Sequence, residues 1–156
     1  MNSLVFYNTG IEDNQQVIQW LYDELLYHRD ITIGLLDHKL NFAKNVMTGF
    51  KNMVKDNGLT EMFKWREFYS TSLMNYSRLC VSSSASACNS FRGHNISTLV
   101  FNNFNLMKKK DIEEIFKCYI PAMTYIRKHA KLVFVLNTKE PISKDHLQLL
   151  DSVSKN

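Results

Sequence analysis

The run ITIGLL at positions 31–36 decides the fold, because it is apolar and β-branched and lies between two segments of helical periodicity. Apolar residues recur at helical spacing in residues 17–27 before it and in residues 41–55 after it. The inner stripe of the second helix is predicted to comprise Phe42, Val46, Phe50 and Met53. A run that is apolar on both sides is typical of a strand covered by helices on both faces of a parallel sheet.

Strands and helices alternate along the rest of the chain without an internal repeat. The predicted strands are Leu4–Tyr7, Ile31–Leu36, Thr98–Phe101 and Leu132–Leu136, and the later helices are Asp111–His129, bent at Pro121, and Asp145–Val153. Residues 62–81 indicate short strands or a hairpin, and residues 82–90 indicate a serine- and alanine-rich loop. This order predicts a single α/β domain over residues 1–156, with three layers and a mostly parallel sheet.

Composition and charge exclude several classes of protein. The 156 residues carry a net charge of +4, which permits a nucleic-acid partner without demanding one. The three cysteines, Cys80, Cys88 and Cys118, include no C-x-x-C pair, so a zinc site or a disulfide scaffold is not expected and a reducing compartment fits best. No apolar run is long enough to cross a membrane, and the first residues lack the pattern of a secretory signal.

The predicted strand ends carry polar segments in a definite order: IGLLDHK at 33–39, SSSASACNSFRG at 82–93, LVFNN at 99–103 and LVFVLNT at 132–138. Their order and spacing resemble the ATPase domain of tailed-phage large terminases, the motors that package DNA, over roughly Leu4 to Pro141. The resemblance implies a P-loop NTPase fold with a phosphate-binding loop at residues 8–14. It also implies a Walker B strand that ends at residues 102 and 103, and a coupling motif that contains Thr138.

The segment aligned with the phosphate-binding loop, NTGIEDN, lacks the residues that bind ATP. A working loop reads G-x-x-x-x-G-K-[ST], in which the lysine pairs with the phosphates and the hydroxyl holds Mg²⁺. Asp13 stands in the lysine position, Asn14 in the hydroxyl position and Glu12 near the second glycine. Thr9 falls where terminases often carry an arginine. Carboxylates beside a polyphosphate repel it, so no nucleotide cofactor is expected.

The segment aligned with the Walker B strand has lost both of its acidic residues. Asn102 and Asn103 stand where one carboxylate would hold Mg²⁺ and the other would orient the attacking water. Asparagine can form hydrogen bonds but can neither carry negative charge nor accept a proton. We therefore expect no ATPase activity, even in an Asn102→Asp, Asn103→Glu variant. We also expect both asparagines to lie near solvent at a strand end, where such exchanges cost little stability.

Other candidate residues have ordinary structural interpretations beside their functional ones. Arg92 could contact a phosphate or a partner, or could anchor its loop while Gly93 forms a turn. The basic run Lys108, Lys109 and Lys110 could contact DNA phosphates, although such runs are more often solvated surface. The histidines have no metal-ligand spacing, and no G-x-S-x-G nucleophile motif is present, so neither a metal site nor hydrolase chemistry is expected.

Two functional hypotheses remain. The first is a catalytically inactive, terminase-like phage protein that acts in the host cytoplasm by binding a protein partner from the phage or its host. The second is a nucleic-acid-binding module related to the packaging motor, which the positive charge and Lys108–Lys110 motivate. Binding of DNA that weakens steeply with salt would favour the second. An active ATPase with a different site is a third hypothesis, which the double loss of motifs disfavours.

Overall fold

The computed structural model describes residues 2–8, 10, 13–126 and 130–154. The strands are β1 (Asn2–Asn8), β2 (Thr32–Asp37), β3 (Phe63–Trp65), β4 (Tyr69–Ser72), β5 (Arg78–Ser83), β6 (Thr98–Phe101) and β7 (Lys131–Asn137). The helices are α1 (Gln15–Tyr27), α2 (Leu40–Asp56), α3 (Ala87–Ser90), α4 (Lys109–Ile126) and α5 (Lys144–Ser154), with short 3₁₀ turns at Thr60–Met62 and Phe104–Leu106.

The described strands form one sheet in the order β1-β7-β6-β2-β5-β4-β3. Strands β1, β7, β6, β2 and β5 are parallel to one another, whereas β4 and β3 continue the sheet antiparallel at one edge. This confirms the predicted α/β fold with a mostly parallel sheet. The sheet places the carboxyl ends of β1, β7, β6 and β2 side by side.

Helices cover both faces of the sheet, which explains why its central strands are apolar on both sides. Ile33 and Leu35 pack in one core cluster with residues of α1 and α2, whereas Leu36 packs in a second cluster with residues of α4 and α5. Alternate residues of β2 therefore enter different cores. The predicted three-layer arrangement is confirmed.

The predicted inner stripe of α2 was partly wrong. Its buried residues are Ala43, Val46, Met47, Phe50 and Val54. Phe42 and Met53 are only half-buried, because the buried stripe runs along a neighbouring line of the helix. Phe42 instead stacks on His38, with ring centroids 4.8 Å apart, at the edge of the sheet.

Two other segment predictions are corrected in detail. The serine-rich segment 82–90 is not one loop, because Ser82 and Ser83 continue β5 by pairing with the end of β2 and residues 87–90 form the short helix α3. The predicted helix at Asp111–His129 begins earlier, at Lys109. Its last predicted residues, 127–129, lie outside the described part of the chain. No helix among the described residues is long and apolar enough to cross a membrane.

Candidate functional site

The carboxyl ends of four adjacent parallel strands bring a set of amide side chains and one carboxylate together. Asn8 ends β1, Asn137 ends β7, Asp37 ends β2, and Asn102 directly follows β6. All four side chains are buried. Buried polar groups need hydrogen-bond partners, so the pattern of donors and acceptors among them determines what this site can bind.

Asp37 is the centre of this network and is fully buried. Its Oδ1 accepts hydrogen bonds from the backbone N–H of His38 at 2.8 Å and contacts His38 Nδ1 at 2.7 Å. Its Oδ2 accepts from Asn102 Nδ2 at 2.8 Å. Asn103 Nδ2 lies 3.2 Å from each of the two carboxylate oxygens. Amide, imidazole and backbone donors thus satisfy both oxygens of this carboxylate within the protein.

Asn102 links the end of β6 to the start of α1. Its Nδ2 donates both to Asp37 Oδ2 and, at 3.0 Å, to Asn14 Oδ1. Asn14 is the residue that precedes α1, and its side chain makes no capping bond to that helix. The side chain turns inward to Asn102 instead, which ties the segment after β1 to the middle of the sheet.

Asn103 adopts the left-handed backbone conformation, with φ of 52°. Asparagine tolerates this conformation better than most residues, because its short side chain can form local hydrogen bonds. The bend places a second amide nitrogen against Asp37 directly after the strand. Two consecutive asparagines therefore both donate to the same carboxylate.

A second amide group holds the end of β7. Asn105 Oδ1 accepts from the backbone N–H of Asn137 at 2.9 Å, and Asn105 Nδ2 donates to the Asn137 carbonyl at 3.0 Å. Thr138 donates its hydroxyl and its backbone N–H to the carbonyl of Asn8, both at 2.9 Å. Thr138 therefore serves in the structure to pair the end of β7 with the end of β1.

This donor set does not fit a nucleotide with Mg²⁺. Mg²⁺ selects carboxylate oxygens, and the Asp37 oxygens already accept hydrogen bonds from two amides and His38. The Asn102 side-chain oxygen is buried without a partner among the described residues, yet a single neutral oxygen does not replace an acidic pair. Asp13, in the lysine position, is exposed and brings negative charge to the loop.

One prediction about these residues was wrong. Asn102 and Asn103 do not lie near solvent, because both are fully buried. The segment before α1 and the end of β2 cover them. Asn14 is likewise buried, whereas Asp13 is exposed. The other two predicted residues of this loop, Thr9 and Glu12, lie outside the described residues.

The predicted contact residues lie on the surface. Arg92 is exposed, and its Nη2 donates to Asn89 Oδ1 at 3.4 Å, while Gly93 has φ of +85°, as its predicted turn requires. Lys109 lies 3.7 Å from both Glu113 and Asp145. Lys108 and Lys110 are exposed beside it and make no ion pair with the residues that the structure describes.

Sequence reasoning assigned no role to Asp37 or Asn105, although both are central to the site. Asp37 directly follows the apolar run that defines β2, so its position at a strand end was a usable signal. Asn105 had no such signal, since it lies in a 3₁₀ turn and is recruited by the backbone of β7, distant in sequence.

Comparison with solved structures relates the fold to known proteins. The ATPase domain of the large terminase of Thermus phage P74-26 superposes with a TM-score of 0.66 at 8% identity, over 88% of this chain and 60% of that chain. The large terminase of bacteriophage HK97 gives 0.72 at 11% identity, over 99% of this chain and 33% of that chain.

A large terminase from a thermophilic bacteriophage gives 0.68 at 15% identity, over 99% of this chain and 38% of that chain. That terminase has also been solved in complex with ADP and with ATP-γ-S. This chain thus spans from a third to 60% of the length of these proteins.

The sequence matches no protein-family model and no curated protein. The similarity therefore lies in the three-dimensional structure, where it covers most of the chain at identities of 15% and below. The strand order and the position of the carboxyl-end site agree with the resemblance that the sequence suggested. The described part of this chain has the fold of the ATPase domain of phage large terminases.

Proposed function

We propose that this chain is a catalytically inactive relative of the terminase ATPase, which acts in phage DNA packaging or its regulation by binding a protein partner in the host cytoplasm. The terminase-like fold supports the link to packaging. Fold alone does not determine function, so the chemistry of the site has to support the rest.

The observation that carries the inactivity is the amide network around Asp37. In a working site of this fold, carboxylates after the central strand would bind Mg²⁺ and orient water. Here Asn102 and Asn103 donate amide hydrogens at that place, and they saturate the neighbouring carboxylate. The bond from Asn102 to Asn14 also holds the segment before α1 inward. The site is therefore a structural polar core.

Exposed apolar side chains at the opposite, amino edge of the sheet support protein binding. We define this amino-edge patch as Tyr27, Met62, Leu73, Met74 and Tyr76, all of which are exposed. Their segments contact one another, because Leu73 N–H donates to the Met62 carbonyl and Asn75 Nδ2 donates to the carbonyls of Leu25 and His28 beside Tyr27. Tyrosine and methionine are enriched in protein interfaces.

Affinity capture from phage-infected cells tests this proposal. The wild type should retain a viral packaging protein, and the Met74→Asp, Tyr76→Asp variant should lose it, because two carboxylates would have to be buried in the interface. Leu147→Asp is the matched control, since Leu147 is equally exposed on α5, outside the patch. Equal capture by all three proteins, or no viral protein retained by the wild type, would contradict the proposal.

Nucleic-acid binding is the alternative function, and Lys108 and Lys110 favour it. Both are exposed at the start of α4, close to the carboxyl edge of the sheet where the helix N-terminus adds positive potential. A titration with duplex DNA at increasing salt distinguishes the two functions. Binding at physiological salt that weakens as salt rises would favour the alternative, whereas a protein-binding module should bind no DNA there.

A further inference from the structure

Two of the three cysteines lie together on the surface, between α3 and α4. The Cys88 side chain is hydrogen-bonded to the Cys118 side chain. An independent contact holds the same two helices together, because the Tyr119 hydroxyl donates to the carbonyls of Ala87 at 3.0 Å and Cys88 at 3.3 Å. The Phe91 ring also packs edge-on against Tyr119, with centroids 6.2 Å apart.

The pair is accessible from solvent. Cys118 is exposed and Cys88 is partly exposed. Cys118 also lines a cavity of about 170 Å³ together with Arg92 and Tyr119. Cys80 differs from both, because it is buried in the sheet and burial raises the pKa of its thiol to about 12. It therefore serves as an internal control for thiol reactivity.

We propose that Cys88 and Cys118 form a dithiol site that is oxidised reversibly to an intramolecular disulfide by low-molecular-weight disulfides. The Cys118 thiolate first attacks a disulfide R–S–S–R and releases one R–S⁻, which leaves R–S on Cys118. The Cys88 thiolate then attacks the Cys118 sulfur and displaces the second R–S⁻. Two protein thiols are oxidised, one small disulfide is reduced to two thiols, and the two protons pass to the released thiolates.

The order of attack follows from the environment of Cys88. Burial, the hydrogen bond with Cys118, the charge of Cys118, and Glu114 and Asp111 together raise the pKa of Cys88 to about 12. Cys118, the exposed thiol, therefore reacts first. Once Cys118 carries R–S it bears no negative charge, so two of the causes that keep Cys88 protonated disappear. The second step is then favoured by proximity.

The disulfide would fasten α3 to α4. Helix α3 continues from the segment in which Ser84 N–H donates to the Asp37 carbonyl at 2.8 Å, so the oxidised form would brace the chain beside the amide network. A reducing cytoplasm keeps the pair open, in keeping with the absence of a disulfide scaffold. The site would form its bond only under oxidising conditions.

Neutral 2-hydroxyethyl disulfide is a suitable probe, because Asp111 and Glu114 would repel an anionic oxidant. The native protein is oxidised, quenched with N-ethylmaleimide and mapped by peptide mass spectrometry. We expect a Cys88–Cys118 disulfide that dithiothreitol reverses, with Cys80 still a free thiol. The Cys118→Ser and Cys88→Ser variants, single-atom exchanges at accessible positions, should form no intramolecular disulfide.

Phenylarsine oxide gives a second readout that does not depend on redox rates, because it bridges two neighbouring thiols. The wild type should bind one equivalent that resists a monothiol wash, and either serine variant should lose it. Mixed disulfides at Cys118 without a Cys88–Cys118 bond, a disulfide between molecules, or retained arsenical in either serine variant would each overturn the proposal.

Discussion

Replacing Asn102 by aspartate should destabilise the fold strongly, although the change is nearly isosteric. Asn102 is fully buried, and its Nδ2 donates to Asp37 Oδ2 at 2.8 Å and to Asn14 Oδ1 at 3.0 Å. The Asn102→Asp exchange removes both hydrogen bonds and sets an oxygen against each of these two acceptors. A buried carboxylate would then face a second carboxylate without a compensating charge.

The magnitude can be bounded by protonation. Two charges about 4 Å apart at an effective dielectric constant of about 20 repel by about 4 kcal/mol. Protonating the introduced carboxyl at pH 7 instead costs about 4 kcal/mol, from an unperturbed pKa of about 3.9 and about 1.4 kcal/mol per unit. The two routes agree, so we expect a loss of about 3 to 4 kcal/mol at pH 7.

The loss should depend on pH in a defined direction. The neighbouring carboxylate raises the pKa of the introduced carboxyl in the folded state above its unfolded value. The variant therefore binds more protons folded than unfolded, and its deficit grows as pH rises above about 4. Near pH 4, where a shared proton bridges the two carboxyls, the deficit should be small.

Urea denaturation followed by circular dichroism at pH 4 and pH 7 measures both effects. Asn95→Asp is the matched control, because it makes the same exchange at an exposed position and should stay within about 0.5 kcal/mol of the wild type. Adding Asp37→Asn to Asn102→Asp returns one carboxylate and one amide to the pair and should recover more than half of the loss. An Asn102→Asp variant as stable as Asn95→Asp at pH 7 would refute the network.

Other variants test the surrounding structure. Gly34→Ala should cost about 1 to 3 kcal/mol in urea denaturation, because a methyl group there would lie 2.8 Å from the Phe91 ring in a packed core. Asn105→Ala should cost about 2 to 3 kcal/mol by the same measurement, since it leaves the buried backbone of the β7 end unpaired. Lys108→Glu with Lys110→Glu should change stability by less than about 0.5 kcal/mol and leave capture of the protein partner intact.

The elements that the sequence predicted well are those with local signals. Thr98–Phe101 was placed at its observed bounds, because a short apolar run between polar segments identifies a buried strand. The alternation of such runs with helical periods was enough for the parallel sheet. The α2 stripe was less certain, since several apolar lines run along that helix and only packing against α1 and the sheet selects one.

The environment of the site could not be read from local pattern. The sequence showed that Asn102 follows a strand, and such positions are often exposed. Its burial depends on Asn14 and Asp37, which lie 88 and 65 residues away in sequence and meet it only through the order of the strands. Hydrogen bonds between distant segments determine whether a polar residue at a strand end faces solvent or the core.

Isothermal titration of the wild-type protein with ATP and Mg²⁺ tests the central claim most directly. We expect no saturable heat, because Asp13 brings negative charge to the loop and the amides of Asn102 and Asn103 occupy the place of the acidic pair. Saturable binding with a dissociation constant near 1 μM, equivalent to about −8 kcal/mol, would contradict the claim that the site has become a structural core.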